Sequence, residues 1–265
     1  MFDRYSRPIN YLRISVTDRC NLRCTYCMPE EGIRLMEHSD ILSYEEITDF
    51  ARMAVANGIT KVRLTGGEPL VRKDIVELVG MLAAIDGIED LAMTTNGILL
   101  SKYALDLKNA GLNRINVSLD TVNPDQYCQI TRNGELAVVL EGIETAIQVG
   151  LRPIKVNCVL LGQPDDETQK LKQFCEDHGL SLRFIHQMNL KTGEFSTVEG
   201  GEGGNCGKCN RVRLLANGDI KPCLFSDLSY NIRELGHQEA LNLALGNKPK
   251  SGTYNQSGEF YNIGG

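Results

Sequence analysis

Along residues 1–186, short runs of alternating apolar and polar residues take turns with longer stretches in which apolar residues return every three or four positions. The short runs, at 11–16, 59–65, 89–95, 113–119, 153–160 and 181–186, have the two-residue period of strands, and the stretches between them have the helical period. The first helix is well marked. Ser43 with Glu46 forms a capping-box pattern at its start, and Gly58 follows its last periodic turn. Gly111, Gly150 and Gly179 punctuate three later helices, which places His178 at a helix C-terminus, where the dipole favours a cation.

Repeated strand and helix units predict an α/β fold on a parallel sheet. The six of them point to a partial, open parallel β/α barrel, whose chemistry sits at the carboxyl ends of the strands. A flat doubly wound sheet is the alternative architecture. The strand faces bear on the choice. In "KVRLTGG", Lys61, Arg63 and Thr65 share one face and Val62 and Leu64 the other. The same division separates Arg13, Ser15 and Thr17 from Ile14 and Val16. It separates Arg114, Asn116 and Ser118 from Ile115, Val117 and Leu119, and Lys155 and Asn157 from Ile154 and Val156. Strands covered by helices on both faces would be almost continuously apolar. Helices are therefore expected on one face and a polar cavity on the other, with anions to balance its cations. Solvated surface strands are the plainer possibility.

From about residue 187 the pattern gives way to "QMNLKTGEFSTVEGGEGGN", a Gly-rich connecting loop. A smaller segment follows, with a hairpin turn at Asn217–Asp219 and a short helix near 239–246. The expected division is a barrel over 1–186 and a C-terminal part over 187–265.

Composition narrows the function. The chain has 265 residues, 42% hydrophobic and 23% charged, with a formal charge of −6. That balance argues against a nucleic-acid-coating surface and leaves any basic site local. No apolar run reaches the roughly 18 residues of a membrane helix, and "MFDRYSRPIN" lacks the apolar core of a secretion signal, so no membrane association and a cytoplasmic location are expected. In a reducing compartment, clustered cysteines among the nine are metal ligands or catalytic groups rather than disulfides.

Two clusters stand out. "CNLRCTYC" carries Cys20, Cys24 and Cys27 directly after the first strand, and Cys206, Cys209 and Cys223 form a second triad. A structural zinc site wants four ligands. Three thiols can hold three corners of an iron–sulfur cubane and leave one iron open to another molecule; a zinc knuckle, or a distant His or Asp closing the second shell, is the other possibility. "GGEP" at 66–69, "TTNG" after the third strand and "VSLD" at the end of the fourth all fall at the rim where a barrel places its site.

The cysteine loop and these segments together resemble the radical S-adenosylmethionine (SAM) superfamily. The stretches "YLRISVTDRCNLRCTYCMPEEG", "VRLTGGEPLVR", "MTTNG", "INVSLDT", "LEGIETAIQVGLRPIKVNCVLL" and "CNRVRLLANGDIKPCLF" further resemble the GTP 3',8-cyclase family of molybdenum-cofactor biosynthesis. The resemblance implies two [4Fe–4S] clusters and SAM as cofactors. It also implies a 5'-deoxyadenosyl radical that abstracts the ribose 3' hydrogen of GTP, leading to a cyclised nucleotide. By matching motif, Cys20, Cys24 and Cys27 would hold the SAM cluster, and Cys206, Cys209 and Cys223 the second. Tyr26, Gly67, Glu68, Ser118 and Met188 would contact SAM, with Glu68 taking its amino group. Arg13, Arg63, Thr94, Lys155, Arg211 and Arg213, with Lys61 and Arg183 as further cations, would contact GTP. The terminal Gly264 and Gly265 match a tail that reaches the active site in that family. Expected partners are GTP or a related phosphorylated nucleotide, a low-potential donor such as flavodoxin or ferredoxin, and the next enzyme of the pathway.

The sequence departs from that family between the sixth strand and Cys206, where it is short, and at "RFIHQMN", where His186 and Asn189 stand in place of Glu and Pro. A related radical SAM enzyme acting on another nucleotide or a peptide, and a non-catalytic metal-binding electron carrier, remain as alternatives. Cys128, Cys158 and Cys175 have no partner spacing and are expected as buried free thiols or surface residues.

Overall fold

All six expected strands form. In the computed structural model, which describes residues 1–256, they are β1 (Tyr11–Ser15), β2 (Lys61–Thr65), β3 (Asp90–Thr95), β4 (Arg114–Ser118), β5 (Ile154–Leu160) and β6 (Ser181–His186). Between them run α1 (Tyr44–Ala56), α2 (Ile75–Ala83), α3 (Leu100–Asn109), the pair α4 (Pro124–Thr131) and α5 (Leu136–Gln148), and α6 (Asp165–Asp177). The capping box at α1 is complete, the Ser43 hydroxyl accepting from the Glu46 N–H and the Glu46 carboxylate from the Ser43 N–H. His178 caps α6, its ring Nδ1 2.8 Å from the Phe174 carbonyl.

The strand order decides between the two architectures. Each strand lies parallel beside its predecessor, in the order β6-β5-β4-β3-β2-β1, with no reversal. A doubly wound sheet reverses at a switch point and so covers both faces. Here crossovers of one hand put the helices on one face. Val62, Leu64, Ile115, Val117 and Val156 point to that side and join Phe50, Leu78, Leu107 and Ile143 of the helices in one continuous core. The opposite face keeps the charged residues.

The segment after residue 187 does not form a sheet of its own. β7 (Arg211–Leu214) pairs parallel with β1, and β8 (Asp219–Lys221) and β9 (Tyr230–Asn231) continue antiparallel beyond it, giving one nine-stranded sheet. Beside the six units there is thus a seventh parallel strand. Its partner lies about 200 positions away in the chain, so no local period announces the pairing. Asn217 turns the β7–β8 hairpin, its side-chain oxygen accepting from the Asp219 N–H at 3.2 Å. A single turn, α7 (Ile232–Leu235), leads into α8 (His237–Gly246), which packs beside α1 with the His237 ring edge-on to Phe50. Val212, Leu214, Ile220, Ala240 and Leu241 belong to the same core as the barrel.

Because β6 is one edge of the sheet and β7 sits next to β1, residues 187–210 run from that edge to the other side of the barrel. Isolated bridges at Phe184–Glu199 and Asn189–Glu194 fix their course. Among the described residues no helix is long and apolar enough to cross a membrane.

Candidate active site

At the carboxyl ends of β1 to β4, the four sequence segments form a closed ring of contacts. The cysteine loop hangs from the C-terminus of α4, where the Ile130 and Thr131 carbonyls accept from the N–H groups of Thr25 and Arg23. Arg132, in the left-handed region with φ of 66°, donates to the Arg23 and Met28 carbonyls at 2.8 and 2.9 Å and so grips the loop on both flanks. Tyr26 reaches from the loop to "VSLD", its hydroxyl donating to Asp120 at 2.9 Å, while the Val159 N–H donates to the other Asp120 oxygen. Asn96 of "TTNG" donates to the Asn21 side chain at 2.8 Å and lies 3.8 Å from the Cys20 sulfur.

"GGEP" closes the ring by lying against the stretch before the cysteines, as the Gly67 and Glu68 N–H groups donate to the Thr17 and Arg19 carbonyls, each at 2.8 Å. A Cβ at Gly67 would stand 2.4 Å from the Arg19 oxygen, so glycine is required there for backbone to meet backbone. Glu68 is 1% exposed and already accepts from Leu70 N–H, Thr95 hydroxyl and Asn96 N–H at 2.6 to 3.0 Å. Its carboxylate, expected toward a SAM amino group, thus joins two motifs. Burial, against those three hydrogen bonds, pushes the Glu68 carboxyl up to about 7.

The thiols of this loop are held in their neutral form by their surroundings. Burial pushes Cys27 up to about 11 and raises Cys20 and Cys24 as well, with Asp120 adding to the effect at Cys24 and Glu68 at Cys20. Thiolates here need a positive partner.

Below the ring, on the polar face of the sheet, Arg213, Arg13 and Arg63 stand side by side in one register row across β7, β1 and β2. The next row holds Arg211, Tyr11 and Lys61, and the Tyr11 ring lies under both Arg63 and Arg211 at 5.4 and 5.9 Å. These side chains open on a cavity of about 520 Å³ that Lys155 and Arg183 also line. Seven of the eight residues expected to contact substrate therefore line one space. The eighth, Thr94, stands beside Asn116 in the register of β3 and β4, on the same face as that row but outside the lining.

Burial pulls the Arg13 guanidinium well below its ordinary value, and Arg213 and Arg63 press it further the same way. A guanidinium does not give up its proton in a protein, so a bound anion would relieve the repulsion. The Arg63 and Arg213 Nε atoms, the Thr94 hydroxyl and the Asn116 amide nitrogen are buried with no hydrogen-bond partner. Arg114, placed on the polar face from the sequence but not among the expected GTP contacts, also faces the cavity, and two short bonds of 2.7 and 2.6 Å to Asp90 already answer its charge. A polar, cationic space with unanswered donors fits a phosphorylated ligand.

Cys206, Cys209 and Cys223 line the same cavity from the C-terminal side. Burial raises Cys209, but Lys248, Arg213 and Arg211 more than offset it, and the thiol ends below its ordinary value. Met188, expected near SAM, lines the cavity on this side and packs on the small cluster of Leu190, Leu215, Leu224 and Phe225. Ser118 sits at the end of β4, half-buried and in register with Asn157. Cys158 and Cys175 are buried and Cys128 is exposed. Gly264 and Gly265 lie outside the described residues.

No group of three or more His, Cys, Asp or Glu side chains among the described residues is arranged to hold a single metal ion. The fit to a cubane rests on the donors themselves. The first loop brings three free thiols within electrostatic reach of one another, and both triads are thiol-only sets of three, the complement that leaves one iron of a cubane open.

An open parallel barrel with a three-cysteine loop after its first strand defines a class, and the comparisons name it. The model of the Radical SAM superfamily matches residues 14–175. A GTP 3',8-cyclase of Alkaliphilus oremlandii (strain OhILAs) is 44% identical over 299 residues, covering 94% of this chain and 93% of that protein. Another, of Thermodesulfovibrio yellowstonii, is 43% identical over 282 residues, covering 89% and 88%. The chain belongs to the Radical SAM superfamily and, within it, to the GTP 3',8-cyclase family; it is an enzyme. Members of that family work with SAM and [4Fe–4S] clusters. The first of these alignments is longer than the 265-residue chain, so it carries gaps on this chain's side.

The fold is shared more widely. The crystal structure of Streptococcus suis SuiB superposes with a TM-score of 0.69 at 16% identity, over 91% of this chain and 66% of that one. Native anSMEcpe with bound AdoMet and Cp18Cys peptide gives 0.66 at 15%, over 92% and 81%.

Proposed function

We propose that this enzyme is a compact GTP 3',8-cyclase, in which the cysteine loop and the cationic cavity divide the work. Cys20, Cys24 and Cys27 hold the cluster that binds SAM, within the ring formed by Gly67, Glu68, Tyr26 and Ser118. When bound, SAM and its cluster supply a 5'-deoxyadenosyl radical able to abstract a ribose hydrogen. The chain's own residues bind and orient the nucleotide. Arg13, Arg63 and Arg213 take the phosphates through fixed guanidinium forks, which lysine cannot reproduce. Lys61, Lys155, Arg183 and Arg211 add charge at the walls, and Thr94 offers a hydroxyl deeper on the same face. Cys206, Cys209 and Cys223 would hold a second cluster, which would supply a Lewis-acidic iron for the nucleotide base. Gly67 and Glu68 act by holding loop on loop, and Met188 packs beside the second triad.

The observation that carries this reading is the row of buried Arg213 and Arg63 and half-buried Arg13 facing one cavity together with the second triad. A low-potential donor such as flavodoxin or ferredoxin supplies the electron, and the next enzyme of the pathway takes the product. The test is anaerobic: reconstitution with iron and sulfide, reduction with dithionite, then SAM with and without GTP, with products followed by mass spectrometry. GTP-dependent 5'-deoxyadenosine and an isomer of GTP are expected. SAM cleavage that ignores GTP, with no nucleotide product, would overturn GTP as the substrate.

A further inference from the structure

Two buried cations lie behind the second triad and do not line the cavity. Lys248 follows the end of α8 and is 1% exposed; its ammonium donates to the Arg211 carbonyl at 2.8 Å and to the Pro222 carbonyl. Arg211 stands two positions after Cys209, and Pro222 immediately precedes Cys223. One side chain therefore ties together the two separate segments that carry those cysteines. Arg7, 7% exposed, does the corresponding thing for the third. It donates to the Cys206 carbonyl at 2.7 Å and, from the same guanidinium, to the Pro249 and Lys250 carbonyls at 2.7 and 2.9 Å. Its Nε is paired with Asp3 at 2.6 Å. The chain from Lys248 to Lys250 is thus the common anchor of all three cysteines.

The charges of the two cations are answered differently. Arg7 has Asp3. The ionisable groups that act most strongly on Lys248 are the thiols of Cys209 and Cys223 and the guanidiniums of Arg213 and Arg7. An ammonium removed from water costs several kcal/mol unless an anion stands by it. Of these neighbours only the two thiols can become negative, and a thiol that coordinates a metal does so outright.

We propose that Lys248 and Arg7 are positioning residues of the second triad. Together they set the mutual placement of Cys206, Cys209 and Cys223 through the backbone, and Lys248 supplies the buried positive charge that a thiolate-bound iron–sulfur centre needs. The inference rests on the reading of this triad as a cluster site. A positive charge fixed beside the cluster favours its reduced, more negative state, so Lys248 also holds its potential up.

The test compares the full-length chain with Lys248→Gln, Lys248→Arg and Arg7→Gln, each reconstituted anaerobically. Iron per chain, EPR and the midpoint potential of the second cluster are measured, and the SAM-perturbed EPR signal of the first cluster is the internal control. The unsubstituted chain should bind about eight irons and Lys248→Gln about four, with any second cluster that still forms shifted to a lower potential. Lys248→Arg should restore iron and potential in part. Arg7→Gln should lose second-cluster iron without that shift, since its charge is already paired. Full iron with an unchanged potential in Lys248→Gln would overturn the proposal. If Lys248→Gln fails to fold, the iron content of Arg7→Gln decides. Failure of both to fold would overturn it too, by making the pair a requirement of the fold rather than of the triad. About four irons in the unsubstituted chain would instead remove the second cluster itself, a separate result.

Discussion

At the first triad, Cys20 and Cys24 share their surroundings with the carboxyls of Glu68 and Asp120, whereas at the second, Cys209 and Cys223 share theirs with Lys248 and Arg213. Both loops are gripped through backbone carbonyls by buried or half-buried cations, Arg132 on one side and Arg7 with Lys248 on the other. The scaffolding is alike and the electrostatics are opposite. A cubane held by three thiolates is net negative, and at the first triad the carboxylates oppose that charge while Arg23 alone among the charged groups that act most strongly on Cys20 favours it. SAM would bring its sulfonium to that setting. The second setting has cations to spare, which suits a phosphorylated nucleotide. Under the proposed function the first triad would face a sulfonium and the second a phosphorylated nucleotide.

The sharpest way to break this division is to remove one thiol from each triad. Cys20→Ala should abolish 5'-deoxyadenosine formation altogether. Cys206→Ala should abolish nucleotide product while reductive cleavage of SAM persists; equal loss of both activities in the two variants would end the distinction. Next in size are the guanidiniums. Arg63→Met and Arg213→Met each remove a buried charged fork, and kcat/KM for GTP should fall about 1000-fold. The first-cluster EPR signal with SAM should stay as it was, which sharpens the assignment of the row to substrate.

A smaller effect tests the carboxylate side. The Glu68 carboxyl is raised from 4.5 to about 7 in the folded chain. Between those values the folded state binds more protons than the unfolded one, so its contribution to stability is present at low pH and is lost as pH rises toward 7. In the iron-free protein this loss should be on the order of 3 kcal/mol, and Glu68→Gln should flatten it in urea denaturation profiles taken across that range. Asp120, raised from 3.8 to about 6, should leave a slope of similar steepness over a lower pH range. A pH profile unchanged by Glu68→Gln would deny the carboxyl its buried setting. Smallest is Arg132→Met, which removes two hydrogen bonds from a charged donor to the first loop and should lower stability by about 2 kcal/mol. Iron should be lost from the first triad and retained at the second, the reverse of the pattern expected for Lys248→Gln.

Much of the frame was legible because it is written in local periods. The strand expected over 181–186 forms as Ser181–His186, and that over 59–65 as Lys61–Thr65, the two leading residues lying between the turn and the strand. Arg13, Lys61, Arg63 and Lys155 could be assigned to one wet face from a two-residue alternation, and that face lines the cavity. What escaped were partnerships. Glu68 was expected to meet a ligand, and nothing local reveals that Thr95 and Asn96 also reach its carboxylate. Arg114 shows the same alternation as its neighbours, and nothing local reveals that Asp90 answers it. Arg132, Arg7 and Lys248 carry no motif; they matter because of carbonyls far along the chain.

The sequence by itself determined the class of fold, the two cysteine triads and the cationic face, since side-chain alternation and motif spacing are properties of neighbouring residues. Only the tertiary structure decided that β7 lies against β1. That single pairing puts Arg211 and Arg213 beside Tyr11 and Arg13 and brings the second triad to the same cavity. The pairing is set by burial of Val212 and Leu214 in the barrel core, a long-range gain that no window of local sequence can express.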